Sequence, residues 1–492
     1  MINGCREIKD LIIQESGIRG VVGDSLNPLI AKMIAVAYGL WLKGDDKRVL
    51  LGRDTRPSGD EIKKAVIDGL LATNCKIINL GICPTPILIY HKKRLNIPGG
   101  IIISGSHNPP DWNALNLLSE RTFLSNEELE EIKQLLIRID LNKYDQKKRD
   151  KAESIEYFNP YVEYEKELLS YFDLEKIIEN NNLRVVIDPV AGASKYITPQ
   201  ILRALGCKVK VINNFLDEDN NFPRGIDPIE ANLEDLIMKV WRKKYDFGLA
   251  YDCDAQRLAI VGDDYKVYAE DTSLALITEY ILNYYHQQKK KAILVTNLAS
   301  SLMFDEIAKR YDTKVLRTQI GERNLIIAMN DLIRRKKKKA FIFGGEGSCG
   351  GVIFPHFNHT RDGIFAAAKI VEILVTTNKK ISELVKNLPR YRKHTVNITV
   401  KNENFPKLIE AVKKELTEEG ENVSQIGLDL RFGNETDWFV LIHPSNTEHV
   451  IRIICEAKRN SLARIRCETT AELIRMIISE LSLGVKSSEV VS

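Results

Sequence analysis

Residues 101–116 read IIISGSHNPPDWNALN and place a serine hydroxyl where it could act as a nucleophile. Three isoleucines run into Ser104-Gly105-Ser106-His107-Asn108-Pro109-Pro110, the pattern of a buried strand that ends in a tight loop. The loop offers Ser106 beside His107 and Asn108, and the two prolines stiffen its exit by fixing φ. A rigid loop suits a hydroxyl that must meet its substrate repeatedly at one spot. A polar strand-to-helix turn capped by Ser and Asn explains the same residues. Taken alone, the stretch favours that plainer reading.

Three more loops follow strand-like runs and carry polar side chains or glycines. Asp252, Asp254 and Gln256 alternate with small residues. Two carboxylates and an amide carbonyl on one side of a turn suit a hard cation such as Mg²⁺. An Asp-rich turn bonding its own backbone fits equally well. Residues 344–351, GGEGSCGG, carry Glu346 and Ser348, which suit sugar hydroxyls, although glycine-rich loops are common. Pro444-Ser445-Asn446-Thr447-Glu448 with Arg452 offers hydroxyls, an amide and a guanidinium, a set suited to phosphate. Its alternative is an N-cap cluster and a surface arginine. Near the start, Arg19 stands between Gly17 and Gly20, where a loop arginine can reach an anion or simply lie in a surface turn.

These loops need a scaffold, and the chain alternates strand and helix patterns for most of its length. Strands are expected at 74–80, 101–104, 183–187, 208–212, 247–251, 292–296, 314–317 and 340–343. Helices are expected at 28–43 (amphipathic), from 60 onward, and at 124–139 (capped by Ser125), 161–171, 199–205, 271–285, 302–311, 324–335 and 362–375. That rhythm implies parallel or mixed sheets with helices packed on them. Residues 140–154 are lysine-rich, lack apolar periodicity and make a linker. From about 396 the pattern changes to short strands between helices at 405–418 and 470–481, a small α+β unit. The first three units share a β-α-β rhythm without an exact sequence repeat. Ligands of such open α/β sheets bind at the carboxyl ends of strands, where the polar loops lie.

The 492 residues provide for about three to five domains. A hydrophobic content of 44% with 28% charged residues fits a soluble globular enzyme and excludes a disordered chain. The net charge of +4 comes from interspersed basic and acidic residues, so it does not argue for nucleic acid. The eight cysteines form no CxxC pair and no disulfide-like array, which points to a reducing, cytoplasmic compartment. No signal peptide or bilayer-length apolar run is expected, hence no membrane association.

Taken together, the chain resembles the α-D-phosphohexomutase superfamily of phosphoglucomutases, phosphomannomutases and phosphoglucosamine mutases. The resemblance spans nearly the whole chain, with six motifs in the family's order. Ser16-Gly17-Ile18-Arg19-Gly20 looks like the opening loop, and Gly52-Arg53-Asp54-Thr55-Arg56 follows it. Residues 104–109 resemble the phosphoserine loop and 252–257 the metal loop. Residues 345–350 resemble the sugar-binding loop, and 444–447 with Arg452 the phosphate-binding loop. The Gly-Gly-Glu-Gly start of the sugar loop and Trp112-Asn113-Ala114-Leu115 look most like the archaeal branch.

The resemblance implies three related α/β domains with mixed sheets plus a smaller C-terminal α+β domain around a central cleft. Their expected bounds are 1–150 with the phosphoserine loop, 151–265 with the metal loop, 266–390 with the sugar loop and 391–492 with the phosphate loop. It implies catalytic roles for Ser106, His107, Arg19 and Arg257, and a Mg²⁺ site of Ser106, Asp252, Asp254 and Gln256. Glu346, Ser348, Ser445, Asn446, Thr447 and Arg452 would bind a sugar phosphate. A hexose 1,6-bisphosphate would serve as activator, and the protein would be a monomer or homodimer. In the implied mechanism, phosphorylated Ser106 donates to a sugar phosphate and recovers the other phosphoryl group from the resulting bisphosphate.

Three functional positions depart from the family pattern. Gln256 replaces a third metal aspartate, Asn116 replaces a lysine placed for proton transfer, and His443 replaces the arginine that opens the phosphate loop. The sugar loop is also one residue longer, with Cys349 inserted or substituted. Gln256 removes a charge worth roughly 4 kcal/mol at 4 Å and an effective dielectric of 20. Asn116 has no titratable proton, and loss of general acid–base help costs about 10²–10⁴-fold.

Overall fold

The computed structural model describes residues 11–15, 17–120, 122–144, 154–268, 271–336, 340–347, 351–434, 436–445 and 449–481. The chain divides into two compact units. The first comprises residues 1–277 and 349–386, and the second 278–348 and 387–492.

The first unit holds two mixed sheets. The larger contains β1 (Ile12–Gln14), β2 (Gly17–Val21), β3 (Arg48–Arg53), β4 (Lys76–Ile82), β5 (Gly99–Ile103), β6 (Trp112–Leu118) and β7 (Ile155–Tyr157), in the order β1-β2-β6-β5-β3-β4-β7. β3 runs parallel to β4 and β5, whereas β6 returns antiparallel to β5 and pairs antiparallel with β2. Strand β5 is buried along its whole length, as expected of a strand covered on both faces. The helix Pro28–Trp41 opens on Asn27, which accepts from Ile30 N, and carries proline in its first turn. The expected amphipathic stripe gives way to burial on nearly every side. This helix lies in the core, packed against the helices Gly59–Ala72 and Asn126–Arg138. Ser125 and Glu128 close a capping box on the last of these.

The second sheet contains β8 (Arg184–Asp188), β9 (Lys208–Val211), β10 (Phe247–Tyr251), β11 (Leu258–Val261) and β12 (Val267–Tyr268), ordered β12-β11-β10-β8-β9. Again a buried central strand, β10, runs parallel to one neighbour and is followed by an antiparallel return, β11. Both candidate loops of this unit therefore sit in strand–loop–strand returns. The strand-to-helix turn considered for the Ser106 loop is not what forms. The first unit also includes β16 (Gly351–Ile353) and the helix Gly363–Thr377, capped by Asp362.

The second unit holds a parallel ladder of β14 (Leu316–Thr318), β13 (Lys291–Asn297) and β15 (Ala340–Glu346). It also holds an antiparallel sheet of β17 (Arg392–Thr399), β18 (Ser424–Ile426), β19 (Asp429–Asn434), β20 (Trp438–Pro444) and β21 (Val450–Ala457), ordered β17-β21-β20-β19-β18. The helices Phe405–Glu418 and Asn460–Glu480 cover one face of the second sheet. Leu298, Ala299 and Leu302 after β13 pack on Phe439 and Leu441 of β20. Leu302 N donates to the buried Glu456 carboxylate at 2.7 Å.

Four helices, Thr85–Arg94, Leu174–Asn180, Glu234–Lys243 and Ile381–Lys386, form where no helix is expected from the sequence. In the first, the punctuation Cys-Pro-Thr-Pro reads as a turn, yet proline belongs equally in the first turn of a helix. The closing helix starts at Asn460, well before the expected 470, and β15 continues through Glu346. Most of the expected linker lies outside the described residues.

Candidate active site

Ser106 is held at φ 48°, a left-handed conformation that non-glycine residues adopt rarely and at some cost. A buried network over-determines it. Ser106 N donates to Ser104 Oγ at 2.9 Å, and Ser104 Oγ donates to Asp54 Oδ2 at 2.7 Å. Arg56, with no exposed surface, fans across the loop. It donates to the carbonyls of Ser106, Asn108, Pro109 and Trp112 at 2.9, 2.7, 2.5 and 2.8 Å. Asp54 balances its charge, accepting from Arg56 Nε at 3.2 Å. A Cβ at position 105 would lie 2.7 Å from Arg56 Cζ, so the loop closes over the guanidinium only with Gly105. Arg19, on β2, donates to Asn108 Oδ1 at 3.0 Å.

The loop after β10 meets this one. Ser106 Oγ donates to Asp252 Oδ2 at 2.7 Å, while Arg257 N donates to Asp252 Oδ1 at 3.0 Å. Asp254 Oδ2 accepts from Thr85 Oγ1 at 2.7 Å, and its buried Oδ1 has no hydrogen-bond partner among the described residues. Burial, and then the neighbouring Asp252, push the Asp254 carboxyl well above the usual carboxylate range. Arg257 Nη1 pairs with Asp227 Oδ1 at 2.9 Å. The Gln256 amide is engaged at both ends: Nε2 donates to Thr360 Oγ1 at 2.9 Å, and Oε1 accepts from Arg361 Nη2 at 3.2 Å. Asn116, 7% exposed, donates to Ser104 O at 3.2 Å.

Positive charge collects around the hydroxyl. Burial, then Arg257, lower the Arg19 pKa, with Asp254 opposing. Burial, then Arg257, hold the His107 imidazole down to about 3, with Arg19 and Arg361 acting the same way and Asp252 against them. Burial would disfavour a charge of either sign, whereas the arginines' share of these shifts is a positive potential that suits an anion. A phosphoryl group brings about −1.5 to −2 charge and strong acceptor oxygens.

The donor set also fits a divalent cation in part. Ser106 Oγ, Asp252 and the partnerless Asp254 Oδ1 are hard oxygen ligands of the kind Mg²⁺ takes. The Gln256 carbonyl accepts from Arg361 beside them. Among the described residues no three His, Cys, Asp or Glu side chains gather to hold a metal.

The second unit positions the remaining expected residues separately. Glu346 ends β15, buried, with its Oε1 accepting from Gly321 N at 3.2 Å and Asn297 Nδ2 at 3.4 Å. Ser445 is buried beyond β20, its N–H donating to Val450 O at 2.8 Å. Arg452, on β21, pairs in register with His443, whose Nδ1 lies 2.6 Å from Asp429 Oδ1. Ser348, Asn446 and Thr447 lie outside the described residues.

Sequence reasoning gave no role to Arg56, Asp54, Thr85, Thr360 or Arg361. Arg56 and Asp54 stood in a noted motif, and a charged pair between a strand and a helix was the available signal. Thr85 and Arg361 come from distant segments and left no local signal.

Three family models match in succession, described as Phosphoglucomutase/phosphomannomutase, alpha/beta/alpha domains I, II and III, over residues 10–143, 159–265 and 269–391. A protein of Thermococcus kodakarensis named phosphoglucomutase/phosphomannomutase is 35% identical, over 93% of this chain and 97% of its own. The chain belongs to the α-D-phosphohexomutase superfamily. A probable phosphoglucosamine mutase of Pyrococcus abyssi is 32% identical over 95% of this phosphohexomutase chain and 98% of its own. A phosphoglucomutase/phosphomannomutase family protein of Burkholderia thailandensis shares the fold, with a TM-score of 0.75 at 24% identity, covering 99% of both chains. Aspergillus fumigatus N-acetylphosphoglucosamine mutase, solved with GlcNAc-6P and magnesium, aligns with a TM-score of 0.59 at 14% identity, over 97% of this chain and 99% of that one. Among the described residues no helix is long and apolar enough to cross a membrane.

Proposed function

We propose that the protein moves a phosphoryl group between the 6- and 1-positions of a hexose phosphate through phosphorylated Ser106 and a bisphosphate intermediate. Glucosamine phosphate is the first substrate in line, followed by mannose and glucose phosphates. The observation that carries the reading is the Ser106 hydroxyl, strained into place and bonded to Asp252 beside Arg19 and Arg257. The loop holds the hydroxyl at one point, so the phosphoryl group is presented in a fixed direction. Arg19 and Arg257 are assigned to its developing charge. His107, kept neutral by burial and Arg257, is assigned to hydrogen bonding in the site without adding a charge. Asp252, Asp254 and Ser106 would hold Mg²⁺, which would neutralise charge on the transferring group. Glu346 and Ser348 are assigned to sugar hydroxyls, and Ser445, Asn446, Thr447 and Arg452 to phosphate.

The domain bounds 1–150, 151–265, 266–390 and 391–492, and action as a monomer or homodimer in the cytoplasm with a hexose 1,6-bisphosphate activator, belong to the same proposal. Intact-mass measurement after incubation with glucose 1,6-bisphosphate tests it. Wild type should gain one phosphoryl group and Ser106→Ala none, with unchanged folding by circular dichroism. Full labelling of the alanine variant would sink the assignment.

A second reading is a phosphosugar-binding paralogue with impaired catalysis. It is favoured by the Asn116 amide bonded to Ser104 O at the position of the expected proton-transfer lysine. A coupled mutase assay across the three hexose phosphates, beside a calorimetric titration of each, separates the two. Tight binding without turnover supports the paralogue.

A further inference from the structure

Arg257 is gripped at one corner and open along one edge. Its Nη1 donates to Asp227 Oδ1 at 2.9 Å. Its Nε is buried without a hydrogen-bond partner among the described residues, and Nη2 has no acceptor among them either. The Nε–Nη2 edge of a guanidinium carries two parallel N–H groups, which match two oxygens of a phosphoryl group. Asp252 ties the residue to the Ser106 loop, accepting from Arg257 N on Oδ1 and from Ser106 Oγ on Oδ2. Burial and then Arg257 lower the Arg19 pKa, and Arg19 is itself bonded to Asn108 of that loop.

Asp227 stands on the long segment between β9 and the helix Glu234–Lys243, and a second buried ion pair fixes that segment. Arg224 Nε donates to the Asp188 carboxylate at 2.9 Å, where Asn213 Nδ2 also donates at 2.8 Å. Arg224 Nη1 donates to Gly225 O at 2.7 Å, and Nη2 to Tyr251 O at 2.9 Å, the last residue of β10. Asn232 Nδ2 holds Asp227 O at 2.8 Å, and Ile226 packs on Val190 and Cys253. The segment is thus clamped to the strand that leads into Asp252, much as Arg56 and Asp54 clamp the Ser106 loop. The carboxylate that grips Arg257 has a fixed origin.

We propose that Asp227 is a positioning residue of the phosphoryl site: it holds Arg257 by Nη1 so that the Nε–Nη2 edge receives two oxygens of the phosphoryl group on Ser106. The Asp227 side chain is 31% exposed, so water screens its charge while its bond still sets the direction of the guanidinium. This inference rests on the reading of Ser106 as the phosphoryl carrier, and its test is separable from that reading.

Phosphatase-treated full-length protein is titrated with inorganic phosphate by calorimetry in a double-mutant cycle. Asp227→Ala should weaken phosphate binding about tenfold in the wild-type background and less than about twofold in the Arg257→Gln background, because Asp227 acts only through the guanidinium. Asp227→Glu should recover part of the loss. Asp227→Asn, nearly isosteric, should repeat the pattern at about threefold with an unchanged urea midpoint, so the cycle does not depend on the alanine variant folding well. Phosphate affinity unchanged in both Asp227→Ala and Asp227→Asn, an equal loss in both backgrounds, or no phosphate binding by wild type overturns the inference. If the cycle follows expectation but wild type takes no phosphoryl group from glucose 1,6-bisphosphate, the proposed function fails and the positioned arginine stands as an anion site. If labelling occurs and the cycle fails, the function stands and the role of Asp227 falls.

Discussion

At the scale of single residues, the Ser106 loop is shaped by a side chain that never touches solvent. Arg56 makes four bonds to loop carbonyls and one to Asp54. Breaking one partner of a buried ion pair leaves the other charged and unsolvated, at a cost of about 3–5 kcal/mol. Arg56→Gln should lower the urea midpoint accordingly. Arg56→Lys should recover the charge but not the fan of donors, because an ammonium cannot span carbonyls in one plane. Both should lose phosphoryl labelling of Ser106. Labelling of Arg56→Lys at the wild-type rate would show that the loop holds its own shape.

At the scale of elements, the segment between β16 and the helix Gly363–Thr377 carries its own pH response. Burial, then Lys93, lower the His359 pKa to about 4, with His356 adding to the shift and the Pro355 carbonyl opposing it. Lys93 is held there by its bond to Pro355 O at 3.1 Å. An unfolded histidine titrates near 6.5, so the unfolded state binds the proton first as pH falls. Stability is therefore full above about 6.5 and lost progressively towards about 4. Between pH 7.5 and 5, wild type should lose about 1–2 kcal/mol more than His359→Gln in urea unfolding, after allowance for partial exposure. Parallel pH profiles for the two proteins would remove His359 from the account.

At the scale of the whole molecule, the second unit joins its parallel ladder to its antiparallel sheet through a small apolar cluster and one buried carboxylate. Glu456, on β21, takes the N–H of Leu302 at the start of the helix Met303–Arg310. Glu456→Ala removes that acceptor and should cost about 1–3 kcal/mol, the penalty of an unsatisfied buried donor. Hydrogen exchange should quicken in Met303–Arg310 and Val450–Ala457 while the first unit keeps its protection. Equal loss in both units would mean that they unfold as one body.

Local patterns and the order of motifs carried much of this protein. The short β-branched run before Ser106, bounded by turn residues, reads as a strand covered on both faces, and β5 is that strand. The alternation of strand and helix gave the α/β class, and six short motifs in order gave the family that the comparisons confirm. What stayed hidden was whatever depends on residues far apart in the chain. The returns β6 and β11 repeat one topology without repeating a sequence, because antiparallel pairing is made by backbone groups that every residue type but proline carries. Thr85 meets Asp254, and Arg361 meets Gln256, across separations of 169 and 105 residues. A hydrogen bond between distant segments leaves no periodicity and no spacing to read. Gln256 in the sequence is a neutral oxygen beside two carboxylates; only folding shows which cation that oxygen faces.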